Sequence, residues 1–328
     1  MGVYGCAVEG DTSQRMVGRD RELARVTSYL DDALAGRGRL VLCTGEAGVG
    51  KTRLAEEVAA LAAARGVPVA WARAADRGSS PPYGLWRVML EEPAVRTAEA
   101  RSGADLWSAV FRDAERPDLA DGADANTAQR FALFAEVRRR LADAAGPGGL
   151  LLVLDDLQWA DQASAAMLAD VVGQLRGTPI LLVATYRGSG TAADTSAGLL
   201  QRLSADANTE RVDLRGLPAH SVGDMLLAAG IPASEEEAAK VHSETGGNPF
   251  LVQELARVLV EQRHGEPAPV PGRVVDATAH RLGQLSAPAR AMLQAAAVAG
   301  NNFSAGVVAR MLDVPVLALL APMEECRA

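Results

Sequence analysis

The sequence predicts an α/β fold built on a parallel sheet and followed by an all-helical segment. Three observations carry that expectation. Strand-like and helix-like stretches alternate from Leu40 to Leu214, and strand signals stop at Gly216, the pattern of a sheet with right-handed crossovers. Leu150-Leu151-Leu152-Val153-Leu154 and Ile180-Leu181-Leu182-Val183-Ala184 are unbroken apolar runs, as central strands covered on both faces require. Between a strand and a helix lies the glycine-rich turn Gly45-Glu46-Ala47-Gly48-Val49-Gly50-Lys51-Thr52.

Taken in order, residues 1–14 are rich in Gly, Ser and Thr and are expected to fray. Leu23, Val26, Leu30 and Leu34 recur at helical spacing until Gly36 and Gly38 end the pattern. Leu40-Val41-Leu42-Cys43 is a short buried strand, and 51–64 is a helix stopped by Gly66. The second strand, 67–71, contains Pro68 and should lie at an edge. Helices are expected at 85–90, 105–114 and 127–144, the last with Phe131, Phe134, Val137 and Leu141 on one face and Arg138-Arg139-Arg140 as a solvated flank. The acidic strand at 150–154, a helix at 163–175, the strand at 180–184 and a short fifth strand at 211–214 complete the sheet. Beyond Gly216, helices are expected at 221–229, at 234–244 with Ser234 and Glu237 as a capping box, and at 249–262. A proline-rich linker at 266–271 precedes helices at 274–282, at 288–299 and after Ser304.

A chain of 328 residues suggests two or three domains. Its 48% apolar and 23% charged residues are the balance of a soluble globular protein. A net charge of −8 speaks against a surface that wraps nucleic acid. Cys6, Cys43 and Cys326 offer neither a disulfide framework nor metal spacing. His220, His242, His264 and His280 lack the close pairing of a zinc motif. There is no signal-peptide pattern and no apolar run near the ~20 residues that span a bilayer. The cytoplasm, without a membrane partner, is the expectation.

The chemistry is concentrated in three places. In Gly-x-x-x-x-Gly-Lys-Thr at 45–52, the glycines let backbone N–H groups turn inward on phosphates, and the following helix N-terminus adds its partial positive charge. The motif assigns Lys51 to the β- and γ-phosphates of ATP and the Thr52 hydroxyl to Mg2+, with Arg53 closing the set of nucleotide-binding residues. At the end of the acidic strand, Asp155 and Asp156 should emerge where open α/β sheets bind ligands. Asp155 is assigned to the metal and Asp156 to the attacking water, with helix capping as the alternative role for Asp156. Strand 180–184 runs into Thr185-Tyr186-Arg187, so Thr185 and Arg187 should face the γ-phosphate opposite Lys51; a surface arginine paired with an acid is the alternative for Arg187.

Together with Val17-Gly18-Arg19-Asp20-Arg21-Glu22-Leu23, Leu151–Asp161, Ala184–Arg187 and Thr245–Leu255, these motifs resemble a STAND-class AAA+ ATPase. The pattern is most similar to the nucleotide-binding module of large LuxR-type (LAL) bacterial transcriptional regulators. The resemblance implies a P-loop NTPase sheet of order 5-1-4-3-2 over residues 15–215, a helical lid over 216–265, a linker at 266–272 and the start of a winged-helix domain over 273–328. It implies an adenine pocket lined by Val17, Gly18 and Arg19, and Pro249 packed on the base. Arg202 stands near the place of a trans-acting arginine finger, although a surface role is the preferred reading.

The implied function is a slow ATPase switch whose ATP and ADP states control conformation, self-association and transcription. The inducer is unknown, and DNA would be contacted only through a C-terminal domain absent from this sequence, which is expected to be a fragment. A stand-alone ATPase or small-molecule kinase, or the same module serving a signalling kinase or cyclase, are the alternatives.

Overall fold

The structure is a computed structural model, and it describes residues 16–74, 81–96, 123–188, 197–263, 282–283, 285–299 and 304–327. Five parallel strands form one sheet: β1 (Arg39–Gly45), β2 (Val69–Arg73), β3 (Leu150–Asp155), β4 (Ile180–Arg187) and β5 (Thr209–Asp213). Their spatial order is β2-β3-β4-β1-β5, the expected order, with β4 between the glycine-turn strand and the acidic strand. The edge position expected from Pro68 holds for β2, although the strand begins just after that proline.

Helices cover both faces. On one side lie α1 (Asp20–Leu34) and α2 (Lys51–Ala64), which bury Val26, Leu30, Leu54 and Val58 against Val41, Cys43, Leu151, Val153, Leu181 and Val183. On the other lie α3 (Gly84–Glu91), α4 (Ala123–Ala145), α5 (Gln162–Gly173) and α6 (Ala197–Ala205). These bury Trp86, Met89, Leu133, Val137, Leu141 and Leu168 against Leu40, Leu42, Leu152, Leu154, Leu182 and Ala184. Successive residues of one strand thus serve opposite cores, which is why the central strands are apolar at every position. Each fully buried Leu or Val contributes on the order of 1.5–3 kcal/mol.

Two expectations for α4 are corrected. Phe131 is 59% exposed and Leu133 takes the inward position. Of the arginine run, Arg138 and Arg139 pair with Asp170, Glu136 and Asp143, but Arg140 is buried against Glu136. A buried guanidinium needs such a carboxylate, so this residue belongs to the core rather than the solvated flank.

After β5, α7 (Ala219–Ala228), α8 (Glu235–Thr245) and α9 (Pro249–Arg263) pack around Leu217, Val222, Leu226 and Val252. The Ser234–Glu237 capping box starts α8 as expected. Helices α10 (Ala287–Ala299), α11 (Ala305–Met311) and α12 (Leu320–Arg327) bury Met292, Ala296, Val308 and Leu319 together. Among the described residues no single helix is long and apolar enough to cross a membrane; the bent pair Ala305–Met311 and Val316–Met323 passes on length and composition alone. The expected fraying N-terminus, the helix at 105–114, the linker at 266–271 and residues 274–281 of the next helix lie outside the described residues, as do Cys6, His264 and His280.

Candidate functional site

Parallel pairing brings the carboxyl ends of β1, β3 and β4 to one rim. Gly45 is the rung partner of Arg187, and Arg73 that of Asp155. The glycine turn leaves β1 at this rim and enters α2 at Lys51, with Gly45, Gly48 and Gly50 at φ of 150°, 78° and 101°. Side chains with a Cβ rarely adopt those angles, which explains the glycines locally. A cavity of about 1160 Å³ opens over the turn, slightly larger than the roughly 300–1,000 Å³ of ligand sites.

The cavity is lined by Val17, Arg19, every residue from Ala47 to Arg53, Asp156, Arg187 and Pro249. Gly18, Gly45, Glu46 and Asp155 do not line it. Glu46 and Gly45 instead present their carbonyls to Lys51 Nζ, at 2.7 and 2.9 Å. Burial lowers the Lys51 pKa to about 8, aided by the nearby Arg187 charge and opposed by Asp156 and Asp155.

Asp155 ends β3 fully buried. Its Oδ1 accepts from Thr52 Oγ1 at 3.0 Å and Thr185 Oγ1 at 2.6 Å, and its Oδ2 from Arg73 Nε at 2.8 Å and Nη2 at 2.5 Å. The expectation that both acids emerge at the rim therefore holds for Asp156 alone, because Asp155 is sealed behind Thr52 and Arg73. Thr185 is likewise fully buried. Rather than facing a phosphate, it donates to Asp155 and accepts from the Asp156 backbone N–H at 2.8 Å.

Asp156 adopts φ +61° and opens the 3-10 turn Leu157–Trp159. Its side chain makes no cap; Oδ1 accepts from Gln158 Nε2 at 3.0 Å, while Gln158 Oε1 accepts from the Arg187 backbone N–H at 3.1 Å. Asp161 supplies the cap, accepting from Ser164 at the start of α5 and from the Tyr83 and Gly84 backbone of α3. The Arg187 guanidinium lines the cavity and forms no ion pair among the described residues, so the acid-paired alternative is not seen. Arg202 lies on α6, with its Nε donating to Gly198 O at 3.4 Å.

Helices α7–α9 form the opposite wall, with Met225, Ala229, Phe250, Gln253 and Val260 among the lining. They touch the turn directly: Asn248 Nδ2 donates to Ala47 O at 2.9 Å, and Phe250 N to Gly48 O at 3.3 Å. Arg19, 4% exposed, spans the junction by donating to Val49 O at 3.1 Å and to Arg215 O. Desolvation by burial holds its pKa below the ordinary value, despite Glu22. Gly18 packs on α7, where an added Cβ would come within 2.5 Å of Ser221 Oγ.

Residue reading alone gave no role to Arg73, Gln158 or Asn248. For Arg73 a signal exists: with β2 beside β3, a charged residue closing the edge strand must stand next to the acid closing its neighbour. The site suits a hard cation, because Thr52 Oγ1 and Asp155 Oδ1 are converging oxygens. It also suits an anionic tail at the glycine turn, where backbone amides, Lys51 and Arg187 converge.

An uncharacterised protein of Rhizobium meliloti (strain 1021) is 25% identical to this chain over 329 aligned positions, covering 90% of the chain and 31% of that protein. The chain thus spans about a third of the length of this curated relative. Among solved structures, a signal-transduction ATPase with numerous domains (STAND) with a tetratricopeptide repeat sensor from Pyrococcus horikoshii is similar at a TM-score of 0.43 and 16% identity, over 97% of this chain and 41% of that one. The ORC2 protein of Aeropyrum pernix is similar at 0.47 and 16%, over 90% and 78%. Residues 15–183 match the family model described as AAA ATPase domain. That match covers just over half of the sequence, and the chain belongs to the AAA ATPase domain family.

Proposed function

We propose that this chain is a nucleotide-controlled switch that binds ATP and ADP with Mg2+ between the sheet rim and helices α7–α9, which act as its lid. The observation that carries the reading is the direct attachment of those helices to the phosphate-binding turn through Asn248–Ala47 and Phe250–Gly48. A ligand that reorganises the turn must therefore bias the lid, which is what coupling a bound group to domain arrangement requires.

In this reading the backbone amides of 47–52 and Lys51 hold the phosphates, and Pro249, Val17 and the apolar residues of α7 and α9 hold the base. Thr52 and Asp155 hold the metal, whose chemistry is to neutralise charge on the phosphate oxygens. Asp156, at the cavity edge and oriented by Gln158, is placed to take a proton from the attacking water. Arg187, which lines the cavity, offers its guanidinium to charge developing at the γ-phosphate. Hydrolysis would be slow, well under the ~10 s⁻¹ enzyme median, as suits a timer.

The finer proposal is that the module serves a LuxR-type (LAL) regulator, its nucleotide state controlling self-association and transcription. The Asp-Asp pair and the Gly-Gly-Asn-Pro turn at 246–249 support that assignment. Titration calorimetry with ATP and ADP tests the core claim: binding should require Mg2+ for full affinity and disappear in Lys51→Ala. Unchanged binding in that variant rejects the site. Small-angle scattering should differ between the ATP- and ADP-bound chain, and superimposable curves would remove the switch.

A further inference from the structure

The acid proposed above for the metal already has a full set of partners. Two of them, the Thr52 and Thr185 hydroxyls, are neutral and fixed: one on the first turn of α2, the other fully buried on β4. The third is Arg73, and it differs in every respect. It brings a positive charge, grips Oδ2 through two N–H groups, and has a side chain 56% exposed on the edge strand. The rung pairing of Arg73 with Asp155 sets the two side by side. A carboxylate with no exposure needs such compensation.

We propose that Arg73 is a resident counter-cation of Asp155, and that metal loading is an exchange in which Mg2+ arriving with the nucleotide takes over the charge Arg73 now balances. The inference rests on the reading of Asp155 as the metal-side acid. Thr185 is neutral and fully buried and Thr52 is neutral, whereas Arg73 is the charged and exposed partner, so Arg73 is the one that gives way. Its Nε already lies 3.8 Å from Asp156 Oδ2, so the released guanidinium has a second acceptor at the rim. The buried carboxylate is then never left unbalanced. Mg2+ without phosphate must displace a bidentate guanidinium unaided, so metal and nucleotide bind together.

The test titrates Mg2+ against a fixed concentration of ATP with the full chain, comparing wild type, Arg73→Met and Arg73→Lys. Arg73→Met keeps the stem and removes the charge, and it should lower the Mg2+ midpoint by about tenfold, within the usual range of coupling between sites. Arg73→Lys, which retains charge but not the two-pronged grip, should lower it less. In melting experiments without nucleotide, Mg2+ alone should stabilise Arg73→Met and leave wild type unmoved. A purely structural arginine would alter the melting temperature but not the midpoint. Midpoints unchanged or raised in both variants overturn the exchange. If Arg73→Met does not fold, the Arg73→Lys midpoint decides. Failure of wild type to bind ATP would remove the underlying site as well, whereas normal wild-type binding with unmoved midpoints removes only the role of Arg73.

Discussion

Asn248 donates its side-chain amide to the carbonyl of Ala47 at 2.9 Å, joining residues 201 positions apart in the chain. Its Oδ1 in turn accepts from Phe250 N at 3.1 Å. Removing one such bond costs about 0.5–1.5 kcal/mol, so Asn248→Ala should weaken ATP binding by roughly two- to tenfold if the lid position supports the bound state. Asn248→Asp should be worse, because it sets a carboxylate against the Ala47 carbonyl. Calorimetry on both variants checks the ranking, and wild-type affinity in the aspartate variant would show that the contact transmits nothing.

The depressed Lys51 pKa makes a signed claim about pH. With the folded value at about 8 and the unfolded value at 10.5, the unfolded chain holds more proton between those limits. The cost of burying this charge is therefore fully present below pH 8 and is relieved as pH rises towards 10.5. A triphosphate favours the charged form, so ATP binding near pH 9 should take up a proton. Calorimetry in buffers of different ionisation enthalpy measures that uptake directly. Arg187→Ala, which removes a neighbouring positive charge, should shrink it; equal uptake in both proteins would rule out the stated cause.

Asp156 bears its carboxylate on a left-handed backbone, φ +61°. A non-glycine residue there costs roughly 1–2 kcal/mol. Asp156→Gly should thus be more stable than Asp156→Ala by about 1 kcal/mol in urea denaturation, although both remove the acid. Both should bind ATP and lose hydrolysis. Equal stability of the two variants would mean that the turn relaxes on substitution.

At Gly18 the relevant neighbour is Ser221, whose Oγ and Cβ would lie 2.5 and 2.6 Å from an added Cβ. Gly18→Ala should destabilise by about 1–3 kcal/mol through overpacking. Ser221→Gly should rescue part of that loss, and a double-mutant cycle should yield at least about 0.5 kcal/mol of coupling. Additive effects would place the cost on the left-handed backbone of Gly18, φ +71°, rather than on contact with Ser221.

Strand sites, helix sites and the glycine turn were legible because each is written in a local signal: an apolar run, a period of 3.6, a strand–turn–helix junction; the sheet order came from the family resemblance. Direct carboxyl-end contacts were less so. Reading Leu154-Asp155-Asp156 as two acids leaving a strand was sound for Asp156, but whether Asp155 meets the cavity depends on Arg73, 82 positions earlier. Asn248 was visible as part of a motif, yet its partner is a backbone carbonyl, which no side-chain pattern announces. Phe131 and Leu133 could not be ranked from spacing, because their positions on α4 differ by a rotation that only packing resolves.

The rung that sets Arg73 beside Asp155 has a further consequence for how this domain can change over generations. Facing alternates along β3, so a slip of one position would bring Leu154 to the rim or, in the other direction, draw Asp155 among the leucines. Any insertion or deletion within the strand would spoil folding in the same stroke as chemistry. Inheritance of the sheet and inheritance of its acid are therefore bound together, and drift towards an inactive but well-folded descendant must proceed by substitution at the rim.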